Sequence, residues 1–515
     1  MGGKNKNKKR PAPPKPGDPD YKTPTQLRNA RKRRKLQKEK AAKNGGGGAN
    51  AQKGPSSDGA HISNQKQHNS SLSSSAPKDP SLKYIDNPKS APTVKAAKRF
   101  FENIFRNQPD SVGEQSSYIF PIFVGPKTGW RSVARLAVRP SIDKKKVKIG
   151  LFVPGSHQLL EVPDCPAHHP RINDAVKMVQ QACNDVGVAA FDEHSGCGNL
   201  RYVAVSVERS TGKQQVVLVW KEEEDSAGKL DKLIQKLTRK SNGNESKLDL
   251  HSLWIHYNNA WKHANSIFDR NGRWEQRFGN DNEQGVEEIL LNDDTDSNTQ
   301  LPQVTLNFPP QVFRQANIDA FAKIVLKIRH WLGEQRDASS DRKKRLGHCL
   351  ELYGGVGTIG LNLVDLFESI ESSDENPFNK ACFEASVKKI NVKGKSLKPS
   401  RQEKIVYRSK SATDMVQGTK GRASLDEADV IIVDPPRKGL DSEVVEAVNA
   451  SKCDKKVSSS LQTLVYVSCG FDAFRRDYDA LVKSRKWKLN HAEGHILFPG
   501  SDAIETLAIF TNETS

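Results

Sequence analysis

Long apolar runs are missing from this 515-residue chain; none approaches the roughly 18–20 residues needed to cross a bilayer. A secretory signal is not expected either, because the basic N-terminus is not followed by an apolar stretch. Cysteine is scarce: seven residues, with no C-x-x-C pair, argue against a disulfide scaffold and for a reducing compartment. Hydrophobic residues make up only 35% against 28% charged, so part of the chain buries nothing. Acidic residues fall short of basic ones, 61 against 81, leaving a net +20, of which the first fifty residues carry +13. Such an excess points to an anionic partner, and nucleic acid is the usual one. These absences exclude membrane, secreted and collagen-like classes. They leave an intracellular protein, in the nucleus, nucleolus or cytoplasm, and the lack of heptads makes a monomer the expectation.

The length calls for two folded domains plus unstructured segments. Residues 1–95 read as a disordered basic low-complexity tail, with order expected from near Pro92. Within it "TPTQLRNARKRRKLQKEKAAKN" has good helix formers. Its basic core, Arg31 to Lys35, suits an RNA arm, a nuclear address or a plain solvated helix. Residues 96–300 begin with an amphipathic helix, "VKAAKRFFENIFRNQ", followed by short β-type runs and one further helix. This pattern predicts a smaller α+β module with a largely antiparallel sheet. From 301 to 515 short apolar strands alternate with helices, the pattern of an α/β, Rossmann-like domain with parallel strands.

Four places in the second half carry chemistry. "LELYGGVGTIGLNLV" is an apolar strand running into Gly355, Gly357 and Gly360 and then an expected helix. Missing side chains there let backbone approach a ligand. No Gly-Lys-Ser/Thr follows, so this is not a P-loop. Asp374 ends the next strand, where a carboxylate can hold ribose hydroxyls; dinucleotides and S-adenosylmethionine both suit this geometry. "VIIVDPPRKGL" puts Asp434 where a buried strand ends at the carboxyl edge of the sheet, followed by a loop stiffened by two prolines. That favours group transfer over redox chemistry. "LVYVSCGF" puts Cys469 at another strand end before a helix, where a thiol can have a lowered pKa and act as nucleophile; a buried small residue is the bland alternative. Glu505 stands in the apolar last strand, a costly place for an acid unless it is paired or works as acid or base.

Taken in order, "LELYGGVGTIGL", "DPPRKG", "YVSCGFDAFRRDYDAL" and "LFPGSDAIETLAIF" resemble the S-adenosylmethionine-dependent RNA (uracil-5-)-methyltransferases. "LNFPPQVFRQANIDAFAKIV" is similar to that family's F-x-Q-x-N segment, and the likeness covers about residues 115–515. The resemblance implies a class I methyltransferase domain behind an RNA-recognition domain, with S-adenosyl-L-methionine as methyl donor. It implies Cys469 as nucleophile toward carbon 6 of uracil and Glu505 as the base that removes the carbon 5 proton. Cofactor binding is carried onto Gln315, Tyr353, Asp374 and Asp434, and Phe313 becomes a wall of the base pocket or an ordinary core aromatic. Base flipping follows, because the target must leave its stack to meet the thiol. The partner implied is RNA: a tRNA T-loop uridine first, ribosomal RNA second.

Some residues depart from the family. Gly470 and Phe471 follow Cys469 where Asn-Pro is usual, and Ile504 replaces a frequent His before Glu505. These features favour the alternative of a non-catalytic RNA-binding protein. A nicotinamide enzyme would leave the "DPPR" loop without a role. The adenine-holding position is poorly matched around Ser411 to Asp414 and stays unassigned. Cys165 lacks the companions of an iron–sulfur cluster, so none is expected. Pairing Cys165 and His168 with His194 and Cys197 is too loose a pattern for zinc, so no metal is expected.

Overall fold

The computed structural model describes residues 79–512 apart from 108–117, 154–155, 157, 223–225, 240–247, 261–266, 281–284, 292–300, 339–344 and 452–461. The basic arm and its expected helix lie outside the described residues. Residues 79–91, read from the sequence as part of the tail, are folded against a distant part of the chain: the Tyr84 amide donates to the Gly500 carbonyl at 2.8 Å. The amphipathic helix Pro92–Arg106 follows, and its apolar residues Val94, Ala97 and Phe101 are fully buried. Phe101 stacks on Phe120 at 4.6 Å.

Strand β1 (Ile122–Val124) comes next, then β2 (Val133–Pro140), β3 (Val147–Phe152) and β4 (Leu159–Glu161). The helix Pro170–Val186 leads to β5 (Leu200–Val207) and β6 (Gln214–Trp220); the helix Ser226–Thr238 leads to β7 (Leu250–Tyr257) and β8 (Trp274–Phe278). Strands β2 to β8 form one sheet in the order β4-β3-β2-β5-β6-β7-β8. Its pairs are antiparallel except β6–β7, where a helix carries the chain back over the sheet. Ile172, Val176, Leu233 and Leu237 of the two helices share a core with one face of this sheet. The other face carries Arg135, Ala204, Ser206, Gln215 and Val217.

A short antiparallel pair, β9 (Val286–Ile289) with β10 (Thr305–Phe308), precedes the long helix Ile318–Ala338. Then come β11 (Leu346–Leu352), β12 (Phe367–Asp374), the two-residue pair β13 (Asn391–Val392) and β14 (Lys395–Ser396), β15 (Ile405–Ser409), β16 (Ala428–Val433), β17 (Thr463–Ser468), β18 (Trp487–Ile496) and β19 (Glu505–Asn512). The larger sheet has the order β1-β18-β19-β17-β16-β11-β12-β15. Strands β15, β12, β11, β16 and β17 run parallel, and β19 is antiparallel to both neighbours. Every residue of β16 and β17 is buried, as expected for strands covered on both faces. The α/β, Rossmann-like expectation is met. Among the described residues no helix is long and apolar enough to cross a membrane.

Two expectations fail in detail. The helix Pro92–Arg106 and β1, expected in the 96–300 module, belong to the larger sheet instead: the helix packs in its core, and β1 pairs parallel with β18. The smaller sheet is thus an insertion between β1 and the rest of the sheet that β1 belongs to. The helix expected after the glycines is also absent; Gly360–Leu363 forms a single 3-10 turn. Little chain separates β11 from β12, and the Gly360 amide is taken by the Glu351 carboxylate at 2.8 Å rather than by a helical carbonyl.

A buried ion pair ties the smaller sheet to the β9–β10 pair. Glu288 accepts from Arg314 and from Arg209 Nε, and Arg209 Nη2 donates to the Ile289 carbonyl at 2.8 Å. The first and last segments of the insertion are joined directly, where the Ser132 amide donates to the Ala316 carbonyl at 2.8 Å.

Candidate active site

The glycine turn lies between the tips of β11 and β12. Glu351, buried in β11, accepts from the Gly360 amide and from the Ser372 hydroxyl at 2.6 Å. A Cβ at Gly354 would stand 2.3 Å from Ser372 Oγ, and one at Gly360 would stand 2.7 Å from the Glu351 carboxylate, so side chains are excluded inside the turn. Gly355 is different: φ is +57°, and a Cβ there would meet nothing within 4 Å. The turn therefore shows open backbone on its outer side. Asp374 stands beside it, Oδ2 accepting from the Gly355 amide at 3.3 Å and Oδ1 from Asn376 at 2.8 Å. Burial raises the Asp374 pKa. A carboxylate next to an open glycine turn fits a ribose-bearing ligand.

Burial pushes Glu351 up to about 7. A carboxyl raised in the folded state contributes stability that is fully present below its unfolded value and is lost as pH rises through the folded one. We expect Tm to fall between pH 5 and pH 7.5, with Glu351 contributing on the order of 3 kcal/mol to the change. Glu351→Gln should flatten that slope in a calorimetric pH series.

The "DPPR" loop is held from beneath. Asp477, buried, accepts from the Leu440 amide at 2.8 Å and the Tyr466 hydroxyl at 2.7 Å. Tyr353, with φ of +58° where the strand enters the glycine turn, donates to Asp441 at 3.2 Å. Tyr353 thus couples the turn to the loop. Asp434 stands half-buried at the end of β16, and burial beside Glu351 raises it to about 7.

Cys469 and Glu505 meet in one cavity of about 220 Å³, whose other walls are Arg437, Leu497, Phe498, Ala503 and Ile504. The pairing of β17 with β19 brings them there, since Ser468 faces Thr506, one residue before Cys469 and one after Glu505. Glu505 is buried, and its Oε1 has no hydrogen-bond partner among the described residues. Burial and the neighbouring Asp434 push its pKa well above the carboxylate range, against the pull of Arg437. Cys469 precedes the helix Phe471–Lys483, yet its thiol is not lowered as expected. Burial, Glu505 and Asp434 push it up to about 11, with Arg437 opposing. Burial thus favours the uncharged form of both groups.

Gly470 has a structural reason. A Cβ there would stand 2.4 Å from the Arg437 carbonyl oxygen, so the "DPPR" loop lies against the Cys469 loop only because residue 470 is glycine. Restoring the asparagine common in the resembled family should therefore harm this chain. Gly470→Asn is expected to cost about 1–3 kcal/mol in chemical denaturation and to move Arg437 away from the thiol.

The remaining sequence candidates fall on one segment. Phe313 is 64% exposed, which removes the core reading. Gln315 is partly buried. Their segment is pinned at both ends: Asn376 donates to the Gln311 carbonyl at 3.0 Å, and Asn317 donates to the Leu497 carbonyl at 2.7 Å. Asn317 also caps the following helix through Ala320. Sequence reasoning missed Glu351, Arg437 and Asn317. Glu351 carried the signal used for Glu505, an acid inside an apolar strand. Ser411, in the unassigned adenine region, caps the helix Ala412–Val416. Cys165 faces Asp79 at 3.5 Å and His168 faces Asn173 at 3.0 Å; among the described residues no group of three or more His, Cys, Asp or Glu is placed to hold a metal.

No protein-family profile matches the chain. It is 35% identical over 387 residues to an uncharacterised RNA methyltransferase of Protochlamydia amoebophila, covering 75% of this chain and 87% of the relative. A second uncharacterised RNA methyltransferase, from Halalkalibacterium halodurans, is 23% identical over 400 residues, covering 76% of this chain and 72% of the relative. Among solved structures, the Pyrococcus abyssi tRNA (uracil-54, C5)-methyltransferase in complex with S-adenosyl-L-homocysteine shares the fold. Its TM-score is 0.54 at 19% identity, over 81% of this chain and 82% of that one.

Proposed function

Because the chain belongs to the RNA methyltransferases, we propose that it methylates carbon 5 of a uridine in RNA, tRNA first, through a covalent bond between Cys469 and the base. The observation that carries this reading is the shared cavity of Cys469 and Glu505, a nucleophile and a base on adjacent strand ends. When bound, S-adenosylmethionine supplies an electrophilic methyl group. The open turn at Gly355, with Asp374 beside it, is where it would be held, and Tyr353, Asp434 and Gln315 are the further residues offered for its site.

Carbon 5 of uracil is a poor nucleophile until sulfur adds to carbon 6. Cys469 as thiolate forms that bond, and the electron pair released into the ring makes carbon 5 nucleophilic. Once carbon 5 is methylated, Glu505 as carboxylate takes its proton, the ring recovers its double bond, and the Cys469–carbon 6 bond breaks. Arg437, on the same cavity wall, favours the ionised form of both groups. The test uses 5-fluorouridine-substituted tRNA with S-adenosylmethionine. Fluorine does not leave as a proton does, so a denaturation-stable protein–RNA adduct is the expected result. Its absence with both tRNA and ribosomal RNA, while S-adenosylmethionine binds, overturns the reading.

A further inference from the structure

A second cavity, open and about 360 Å³, lies on the helix-free face of the smaller sheet, between β2, β5 and β6 and the segment that follows β10. Nothing in the proposed chemistry uses it. Its wall has three parts. Arg135 lies over the Phe268 ring, 4.9 Å from its centroid, and has no carboxylate within ion-pair distance among the described residues. Arg314 is buried against Glu288, yet its Nε and Nη1 have no hydrogen-bond partner among the described residues. Pro309 and Pro310 form a flat apolar edge opposite. Unused guanidinium donors beside a ring and a proline edge suit a ligand with acceptor oxygens and a flat face.

A short stretch of chain runs from this cavity to a wall of the Cys469 site. Phe498, a wall of that site, lies under Arg131, whose guanidinium is 5.6 Å from the ring centroid. Arg131, Val133 and Arg135 follow at alternate positions along the chain into β2, and Val133 lines the second cavity. From Arg131 to Arg135 an extended chain spans about 13 Å.

We propose that this cavity is a second nucleotide seat, which holds one unpaired nucleotide of the substrate RNA at a fixed distance from the uridine in the Cys469 site. The proposal rests on the RNA reading above. The base lies against Phe268 and the proline edge, and its carbonyl or phosphate oxygens accept from Arg135 and Arg314. The target is then chosen by its spacing from a second unstacked base, not by the uridine alone.

The test measures binding, so that it needs no chemistry. A tRNA transcript and a ribosomal hairpin are prepared with single abasic nucleotides placed in turn, and affinities are measured for wild type, Arg135→Gln and Phe268→Leu. For the wild type, one unpaired position other than the target should cost roughly tenfold in affinity when its base is removed. In either variant that penalty should shrink to within about twofold, with S-adenosylmethionine affinity unchanged and Phe268→Tyr restoring it. Undiminished penalties in the variants, wild-type affinity of both variants for intact RNA, or no RNA binding at all would overturn the seat. Failure of the uridine reading looks different: binding and its coupling persist, and the fluorouridine adduct is missing.

Discussion

Cys469→Ala is expected to abolish the adduct with 5-fluorouridine RNA and to slow turnover at least about a thousandfold, while RNA and S-adenosylmethionine bind within about twofold of wild type. The size of the loss follows from the role. Without sulfur on carbon 6 the ring has no electron pair to offer at carbon 5, and among the described residues no other cysteine lines the cavity. Cys469 is half-buried and outside any disulfide, so folding should survive the change. The resting thiol adds a second signature. With its pKa at about 11, the thiolate fraction in the free protein grows tenfold with each pH unit across the neutral range. Iodoacetamide should label exposed Cys197 well before Cys469 at pH 7, and the order should close up above pH 9. Equal labelling at pH 7 would refute the burial argument.

Glu505→Gln is expected to separate the two halves of the proposed reaction. The bond to sulfur should still form, and methylated RNA should accumulate on the protein even with ordinary uridine, because the proton on carbon 5 has no acceptor. Turnover should drop about 10²–10⁴-fold, with adduct yield on denaturing gels rising instead of falling. Stability should move the other way. Glu505 is raised in the folded state, so the stability linked to its protonated form fades as pH climbs. Glutamine carries no charge to bury, and above pH 7 the variant should melt no lower than wild type. A variant that melts lower at every pH and forms no adduct would show that Glu505 only holds the sheet together.

The strand ends proposed for the chemistry stood out in the sequence because their residues are locally improbable. An acid in "AIETLAIF" and a cysteine closing "LVYVSC" announce themselves against apolar neighbours, and β16 and β17 are buried along their whole length as those runs suggest. What sequence pattern could not give was the direction of the Cys469 shift. A helix start nearby argued for a lowered pKa, but two carboxyl groups delivered by other strands, together with burial, outweigh it. Gly470 was opaque for a similar reason. Its neighbour is the Arg437 carbonyl, thirty-three residues earlier in the chain, and no local pattern announces a contact of that kind. The same limit hid the place of β1. Three residues of strand have no signature of their partner, and the partner here is β18, near the other end of the chain.

That placement of β1 has a mechanical consequence. The chain leaves the larger sheet after Val124, builds the whole smaller sheet, and returns through the helix Ile318–Ala338, with Ser132 and Ala316 hydrogen-bonded across the two crossings. A domain strung on one linker swings about a single pivot. One that is fastened at two closed crossings resists rotation, as the fixed jaw of a caliper does. The separation of the two sheets is then set by the fold itself.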